Sequence, residues 1–146
     1  LEIRKDLEIL AFRLAYENID ADELSELCKR RDEFEQAVEE DDILKMVDAD
    51  ERFHLVIYEA ACNSKLADIL NNLKESVYRY RLEYLKDTAY RKRLEKEHRS
   101  LVESLQKKDL KKGLSVVESH IENQKKAVLE RIAQDEAEEK KEVRAK

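Results

Sequence analysis

A chain of 146 residues has room for one domain, and this length can bury a core without the help of disulfides. Charged residues make up 44% and hydrophobic residues 42%, with one Gly and no Pro, which favours helices throughout and is poor in the turn residues of β-rich proteins. The formal net charge of −6 argues against a nucleic-acid-binding surface, no apolar run approaches the roughly 18 residues of a membrane helix, and no signal peptide is visible.

N-capping residues, rather than Gly or Pro, mark where one predicted helix ends and the next begins. The predicted helices run over 2–17, from Asp20 or Asp22 to Glu40, from Asp41 or Asp42 to Cys62, from Asn63 or Ser64 to Lys86, from Asp87 or Thr88 to Lys108, and from Asp109 to Gln134. Residues 1–134 are therefore predicted to form one domain. The charged residues 135–146 are predicted to be a frayed, solvated extension.

Apolar residues recur at intervals of three and four within these helices, which is typical of helices packed in a bundle. In the first helix the predicted inward stripe is Ile3, Leu7, Leu10 and Leu14, and in the fourth it runs from Leu66 to Tyr84. Because the connections are short, neighbouring helices are expected to lie antiparallel. The predicted fold class is an all-α, up-and-down bundle.

Polar residues interrupt the inward stripes of three helices. In the third helix, Asp50 and His54 occupy two inward positions, and residues four apart lie on the same helix face. A carboxylate and an imidazole are therefore predicted to point together into the bundle. His98 occupies an apolar position of the fifth helix, and His120 lies at the edge of the core face of the sixth.

These four residues, which include all three histidines of the chain, form a candidate metal site. A divalent cation would satisfy all of them at once, with three neutral imidazoles, one carboxylate and open positions for water or ligand. Such nitrogen and oxygen ligands suit Zn, Ni, Co, Mn or Fe. Alternatively, the histidines are core residues with ordinary hydrogen-bond partners, and a His–carboxylate bond explains the pair Asp50 and His54. Spacing alone leaves both interpretations open.

Three segments read together carry a resemblance to a known family: IRKDLEILAFRLA, DADERFHLVIYEAACN and EHRSLVESLQKKDLKKGLSVVESHIE. They resemble the first helix, the Asp-x-x-Phe-His segment and the closing Glu-His and His segments of the C-terminal effector-binding (FCD) domain. That domain belongs to GntR-family bacterial transcription regulators of the FadR-like branch. The resemblance covers residues 1 to about 132.

The resemblance implies an antiparallel bundle of six or seven helices around a central cavity, which binds a small organic effector, often a carboxylate. It also implies that Asp50, His54, His98 and His120 hold one divalent transition metal ion, Zn or Ni first, with Mn, Co or Fe as further candidates. Cys62 stands where the family usually has Gly, and Ser64 stands where Pro is common. The winged helix-turn-helix that normally precedes the domain is missing, so DNA binding is expected only through a domain absent from this chain.

Two arginines are candidate effector-binding residues. Arg4 can share an inward face with Leu7 and Ala11, where its guanidinium can clamp a carboxylate at two points. Arg81 flanks the apolar stripe of the fourth predicted helix and can line the same cavity. In the alternative interpretation, both side chains extend along the surface into solvent.

The predicted function is sensing: effector binding changes dimer geometry and, through it, DNA binding by the missing domain. One alternative is a structural or dimerising bundle with the metal as a staple. Another is a metal-dependent hydrolase, but no HExxH or comparable motif supplies a general base, so the chain is not expected to be an enzyme. A cytoplasmic homodimer is expected, with Cys28 and Cys62 as ordinary reduced thiols.

Overall fold

The computed structural model describes residues 2–145, apart from the side chains of residues 2, 74 and 75, and within this range the fold is all-α. Residue 1, where the predicted domain begins, and residue 146, where the predicted extension ends, lie outside the described residues. The helices are α1 (Glu2–Asn18), α2 (Ala21–Glu39), α3 (Ile43–Ala60), α4 (Ser64–Asn72), α5 (Lys74–Leu85), α6 (Thr88–Gln106) and α7 (Leu110–Ala145). Within residues 2–145, none of these helices combines the length and the apolar character needed to cross a bilayer.

The predicted helix starts are confirmed by the capping residues. The carboxylate of Asp20 accepts a hydrogen bond from the Glu23 backbone N–H at 2.7 Å, and the Glu23 side chain accepts one from the Asp20 N–H at 3.2 Å. Asp42, Asn63 and Asp87 cap α3, α4 and α6, each with a side-chain oxygen that accepts a hydrogen bond from a backbone N–H of the first turn. These local bonds satisfy backbone donors that no helical carbonyl can reach.

Two predicted helix bounds are wrong. The predicted fourth helix is divided at Leu73, whose N–H bonds the Leu70 carbonyl three residues back at 3.2 Å, a tighter turn than the α-helix makes. α7 continues to Ala145 instead of ending near Gln134. Its last part is made of strong helix formers without Gly or Pro. All residues from 129 to 145 are exposed, and the fraying of this extension stays a prediction.

The inward stripe predicted for α1 is wrong for two of its four residues. Leu7 and Leu14 pack against the core, but Ile3 and Leu10 are 76% and 41% exposed. The buried residues follow a different stripe with three- and four-residue spacing: Arg4, Glu8, Ala11, Phe12 and Ala15. Because α1 packs against α3, α4 and α7, its polar residues Arg4 and Glu8 meet polar partners inside, whereas part of its apolar stripe faces outward.

The turn after α3 has a left-handed backbone at Cys62, with φ of 57°. Side chains disfavour this conformation and Gly accepts it readily, and it commonly follows the end of a helix. It is also the position at which the resembled family usually has Gly. Cys62 is exposed, Cys28 is partly buried, and both thiols are free, as expected.

Candidate metal centre

The third and sixth helices bring Asp50, His54 and His98 together in the core. Their exposed fractions are 0%, 5% and 1%, so the predicted inward placement of all three is confirmed. His98 Nε2 lies 2.8 Å from Asp50 Oδ1, and His54 Nε2 lies 3.3 Å from the same oxygen. The three potential ligand atoms are all within 4.8 Å of one another, close enough for one ion to contact each of them.

His120 lies beside this group. Its ring stacks on the His54 ring with centroids 5.4 Å apart and planes inclined by 21°, but its nitrogens are not part of the mutually close set. The expectation that His120 lies at the edge of the core is wrong, because only 2% of it is exposed. α7 packs against α1, α5 and α6, and these neighbours bury more than one of its faces.

Aromatic neighbours hold the His98 ring. Phe53 stacks on it with centroids 4.1 Å apart, and Phe34 meets it edge-on at 4.7 Å. Phe53 also contacts the His54 ring edge-on at 5.6 Å. Since both rings are packed on their faces or edges, the direction in which each nitrogen points is fixed before any ligand arrives.

The carboxylate of Asp50 is also paired with Arg81, whose Nε lies 2.7 Å from Oδ2. Burial alone would raise the pKa of Asp50, but the charges of His54 and Arg81, with hydrogen bonds from His54 and His98, hold it well below its usual value. Burial lowers the pKa of His54 from its ordinary value of 6.5, against the opposing pull of Asp50. The centre therefore combines an ionised carboxylate with a neutral imidazole, the states in which both bind metals.

Two ring nitrogens of the centre, His98 Nδ1 and His120 Nε2, are fully buried and have no hydrogen-bond partner. Each buried polar atom left unsatisfied costs about 1–3 kcal/mol, so both are a burden on stability. Imidazole nitrogen lone pairs and a carboxylate oxygen are ligands that a divalent transition metal ion prefers, and the donor set therefore fits such an ion.

A second buried polar group surrounds Arg4, which is 4% exposed. Arg4 Nη1 donates to Gln124 Oε1 at 2.7 Å, and Arg4 Nε lies 3.5 Å from Glu8 Oε1. The Tyr58 hydroxyl donates to the same Glu8 oxygen in a short hydrogen bond. Because Arg81 is likewise 4% exposed, the alternative in which both arginines extend into solvent is wrong.

A small pocket of about 60 Å³ reaches inward to Arg81 and Tyr58. Its lining is completed by Glu51, Leu55, Leu70, Asn71 and Val77. Drug-sized ligands occupy pockets of roughly 300–1,000 Å³, so this pocket as it stands has room for only a very small ligand.

Sequence reasoning does not single out Glu8, Glu97 or Gln124 as site residues, yet all three contact the predicted ones. Glu97 Oε2 lies 2.7 Å from His120 Nδ1. Spacing gives a signal for two of them, since Glu8 follows Arg4 by four residues and Gln124 follows His120 by four, and polar residues one turn apart share a face. Glu97 directly precedes His98, and adjacent helix residues do not share a face, so spacing gives no signal for it.

Comparisons with known proteins give consistent results. The model of the FCD domain family matches residues 1–123. The fold is similar to that of McbR/YncC from E. coli, with a TM-score of 0.76 and 21% sequence identity, over 91% of this chain and 66% of that one. The chain thus spans 66% of the length of that protein, and at this identity the likeness shows a shared fold. No protein of curated function matches the chain by sequence.

Proposed function

The chain belongs to the FCD domain family, and from that membership we propose that it is the metal-containing effector-binding domain of a bacterial transcription regulator. The observation that carries the proposal is the close approach of the ligand atoms of Asp50, His54 and His98, within 4.8 Å of one another, beside the buried and unpartnered His120 Nε2. Membership in a family of regulators supports a role in sensing rather than catalysis.

Asp50, His54, His98 and His120 would hold one divalent transition metal ion, with Zn or Ni as the first candidates. Three of them already have their ligand atoms within 4.8 Å of one another, and His120 keeps Nε2 buried and without a partner next to His54. When bound, such an ion supplies a Lewis-acidic centre with open positions for an oxygen of the effector.

The buried charges favour an acidic effector. Among the described residues, those buried with formal charges are Arg4 and Arg81 on one side and Glu8, Asp50 and Glu97 on the other, a balance of one negative charge. A divalent ion reverses this balance to one positive charge, and a carboxylate would then neutralise it. Arg4 Nη2 and Gln124 Nε2 are buried donors without hydrogen-bond partners, and a carboxylate accepts such donors.

Dimerisation is supported by the outer faces of α1 and α4. Ile3, Leu10 and Ile69 are 76%, 41% and 48% exposed, although water is an unfavourable surrounding for all three. α1 and α4 pack against each other, with Leu7 and Leu66 in one shared apolar cluster, so these exposed residues lie on neighbouring helices. We assign this surface to a second copy of the chain, and DNA binding to a domain that is not part of this chain.

The metal is tested by elemental analysis of the purified chain after exposure to Zn or Ni and removal of the excess. About one ion per chain is expected, with its loss in Asp50→Ala and His98→Ala, because each removes a ligand. Asp48→Ala is the matched control, since Asp48 lies on the same helix with its side chain 60% exposed. Absence of bound metal in the unaltered chain, or equal loss in the control, would contradict the proposal.

The effector class is tested by calorimetric titration of small carboxylic acids into the metal-loaded and the metal-free chain. Binding is expected with the loaded chain and is expected to weaken sharply in Arg4→Met. Arg13→Met is the control, because Arg13 is exposed on the same helix. If loaded and metal-free chains bind the acids equally, or Arg4→Met binds like the control, the assignment of an acidic effector is wrong.

A further inference from the structure

The buried carboxylate of Glu97 contacts a proposed metal ligand but has no place in the ligand set itself. Glu97 lies on α6 directly before His98, and its side chain turns toward α7. Its Oε2 lies 2.7 Å from His120 Nδ1, and only 9% of the residue is exposed. A carboxylate has no proton to offer, so His120 Nδ1 is the donor in this hydrogen bond.

The other nitrogen of the same ring is in the opposite situation. His120 Nε2 is buried and has no hydrogen-bond partner. A neutral imidazole carries one proton, so a ring that donates through Nδ1 has a lone pair on Nε2. That lone pair is the atom that a metal ion needs, and it lies on the ring that stacks against His54.

The position of Glu97 is itself fixed by α7. Its second oxygen, Oε1, accepts a hydrogen bond from Asn123 Nδ2 at 3.3 Å. Asn123 follows His120 by three residues, so both donors lie on the same face of α7, about one turn apart. With both oxygens held from one helix, the carboxylate cannot rotate away from Nδ1 without breaking two bonds.

We infer that Glu97 is a positioning residue that selects the Nδ1–H tautomer of His120 and so presents Nε2 for metal binding. This inference rests on the proposed metal site, and it assigns to Glu97 the task of orienting a ligand without touching the ion. A partner of this kind fixes the ring orientation and makes the imidazole more basic, and its removal typically weakens metal binding about 10–100-fold.

The first test is made on the metal-free chain, so that it does not depend on metal binding. Nitrogen-15 NMR of labelled histidines distinguishes the two tautomers, and the signals of His120 are identified by their loss in His120→Gln. The unaltered chain is expected to have the proton on Nδ1, and Glu97→Ala is expected to shift His120 toward the Nε2–H form. The proton on Nε2 in the unaltered chain, or an unchanged tautomer in Glu97→Ala, would overturn the inference.

The second test measures zinc affinity by competition with a chelator. Glu97→Ala is expected to bind zinc about 10–100-fold more weakly, and Glu97→Gln, whose amide oxygen can still accept from Nδ1, is expected to lose less. Glu103→Ala is the control, because Glu103 lies on the same helix, pairs with Lys107 at 2.9 Å and is 43% exposed. Glu97→Ala with the affinity of this control would overturn the inference.

A purely structural role for Glu97 predicts a different pattern. If the residue only ties α6 to α7, Glu97→Ala and Glu97→Gln would lower thermal stability with the tautomer unchanged. If the unaltered chain takes up no metal, the proposed metal site fails, but the tautomer measurement still decides what Glu97 does to His120. The two failures are therefore distinguishable, and Glu97→Gln serves if Glu97→Ala does not fold.

Discussion

Removal of the Asp50 carboxylate should destabilise the metal-free chain strongly, because it strands a buried cation. Arg81 Nε lies 2.7 Å from Asp50 Oδ2, and the two side chains are 4% and 0% exposed. Loss of one partner of a buried ion pair costs about 3–5 kcal/mol, whereas domains are commonly stable by about 5–15 kcal/mol. Asp50→Ala should therefore lower the urea midpoint by about 2 M, for a denaturant slope of about 2 kcal/mol per M.

The origin of this loss is tested with a double-mutant cycle in the presence of chelator, followed by far-ultraviolet circular dichroism. Once Arg81→Met has removed the guanidinium, Asp50→Ala no longer strands a charge. The double variant is therefore expected to lose less stability than the two single variants together, with a coupling of about 2–3 kcal/mol. Additive losses, within about 0.5 kcal/mol, would refute the buried ion pair.

The same helix offers a matched control for this cycle. Asp48 and Arg52 form an ion pair of 3.1 Å, but their side chains are 60% and 54% exposed. The coupling measured for Asp48→Ala and Arg52→Met is expected to stay below about 0.5 kcal/mol, the usual size for exposed helical pairs. A coupling as large as that of the buried pair would mean that burial is not the cause.

Three further predictions concern the bundle. Gly113→Ala should lower the free energy of unfolding by about 1–3 kcal/mol in urea denaturation, because the added Cβ clashes with the Phe12 ring and lies 2.7 Å from Ser104 Oγ. Unchanged stability would mean that α7 can move away from α1. Cys62→Gly should raise the free energy of unfolding by about 0.5–1 kcal/mol. Gly relieves the left-handed backbone cost of roughly 1–2 kcal/mol, but it also gives the unfolded chain more conformational freedom. A lower free energy of unfolding would show that the φ of 57° is not strained. In the metal-free chain, burial lowers the pKa of folded His54 below its ordinary value of 6.5. Between the folded and the unfolded pKa, the unfolded state binds more protons than the folded state, so stability should fall as the pH drops below about 6.5. His54→Gln should lack this part of the pH dependence, and an equal dependence in both chains would count against a neutral, buried His54.

Local signals explain what the sequence predicts correctly. The helix starts at Asp20, Asp42 and Asp87 depend on bonds within three residues, so they are readable without the rest of the fold. The inward placement of Asp50 and His98 is readable because α3 and α6 each bury one continuous stripe.

The errors have tertiary causes. Which face of α1 is buried depends on its neighbours, which accommodate Arg4 and leave Ile3 outside, and hydrophobic periodicity cannot show this. No Gly or Pro in the sequence marks the division between α4 and α5 at Leu73. His120 looks marginal in sequence because Leu114, Val117, Ile121 and Val128 form a neighbouring apolar stripe on the same helix. The packing of α7 against three helices buries His120 as well. The role of Glu97 depends on its contact with His120, which lies 23 positions away on another helix.

The cost of the buried charges argues that they are present for binding. Replacement of a buried ion pair by apolar side chains of similar size is often neutral or stabilising, so a core selected only for stability would have no need of Arg4, Glu8, Asp50 and Arg81. Some of their polar atoms, such as Arg4 Nη2, have no hydrogen-bond partner, which adds to the cost. Ligands that supply the missing partners would recover this free energy only in the bound state.

The same network offers a physical route from ligand to dimer. The His54 ring stacks on His120, and its centroid lies 6.3 Å from that of the Tyr58 ring, so the metal centre and the group around Arg4 are contiguous. Arg4 belongs to α1, and the preceding residue Ile3 is exposed on the outside of the same helix. An effector that binds between the metal and Arg4 would favour one position of α1 over another, and only such a difference in affinity can shift the dimer. Arg4→Met should therefore weaken effector binding and, even at saturating effector, reduce the change in dimer geometry while metal binding is kept.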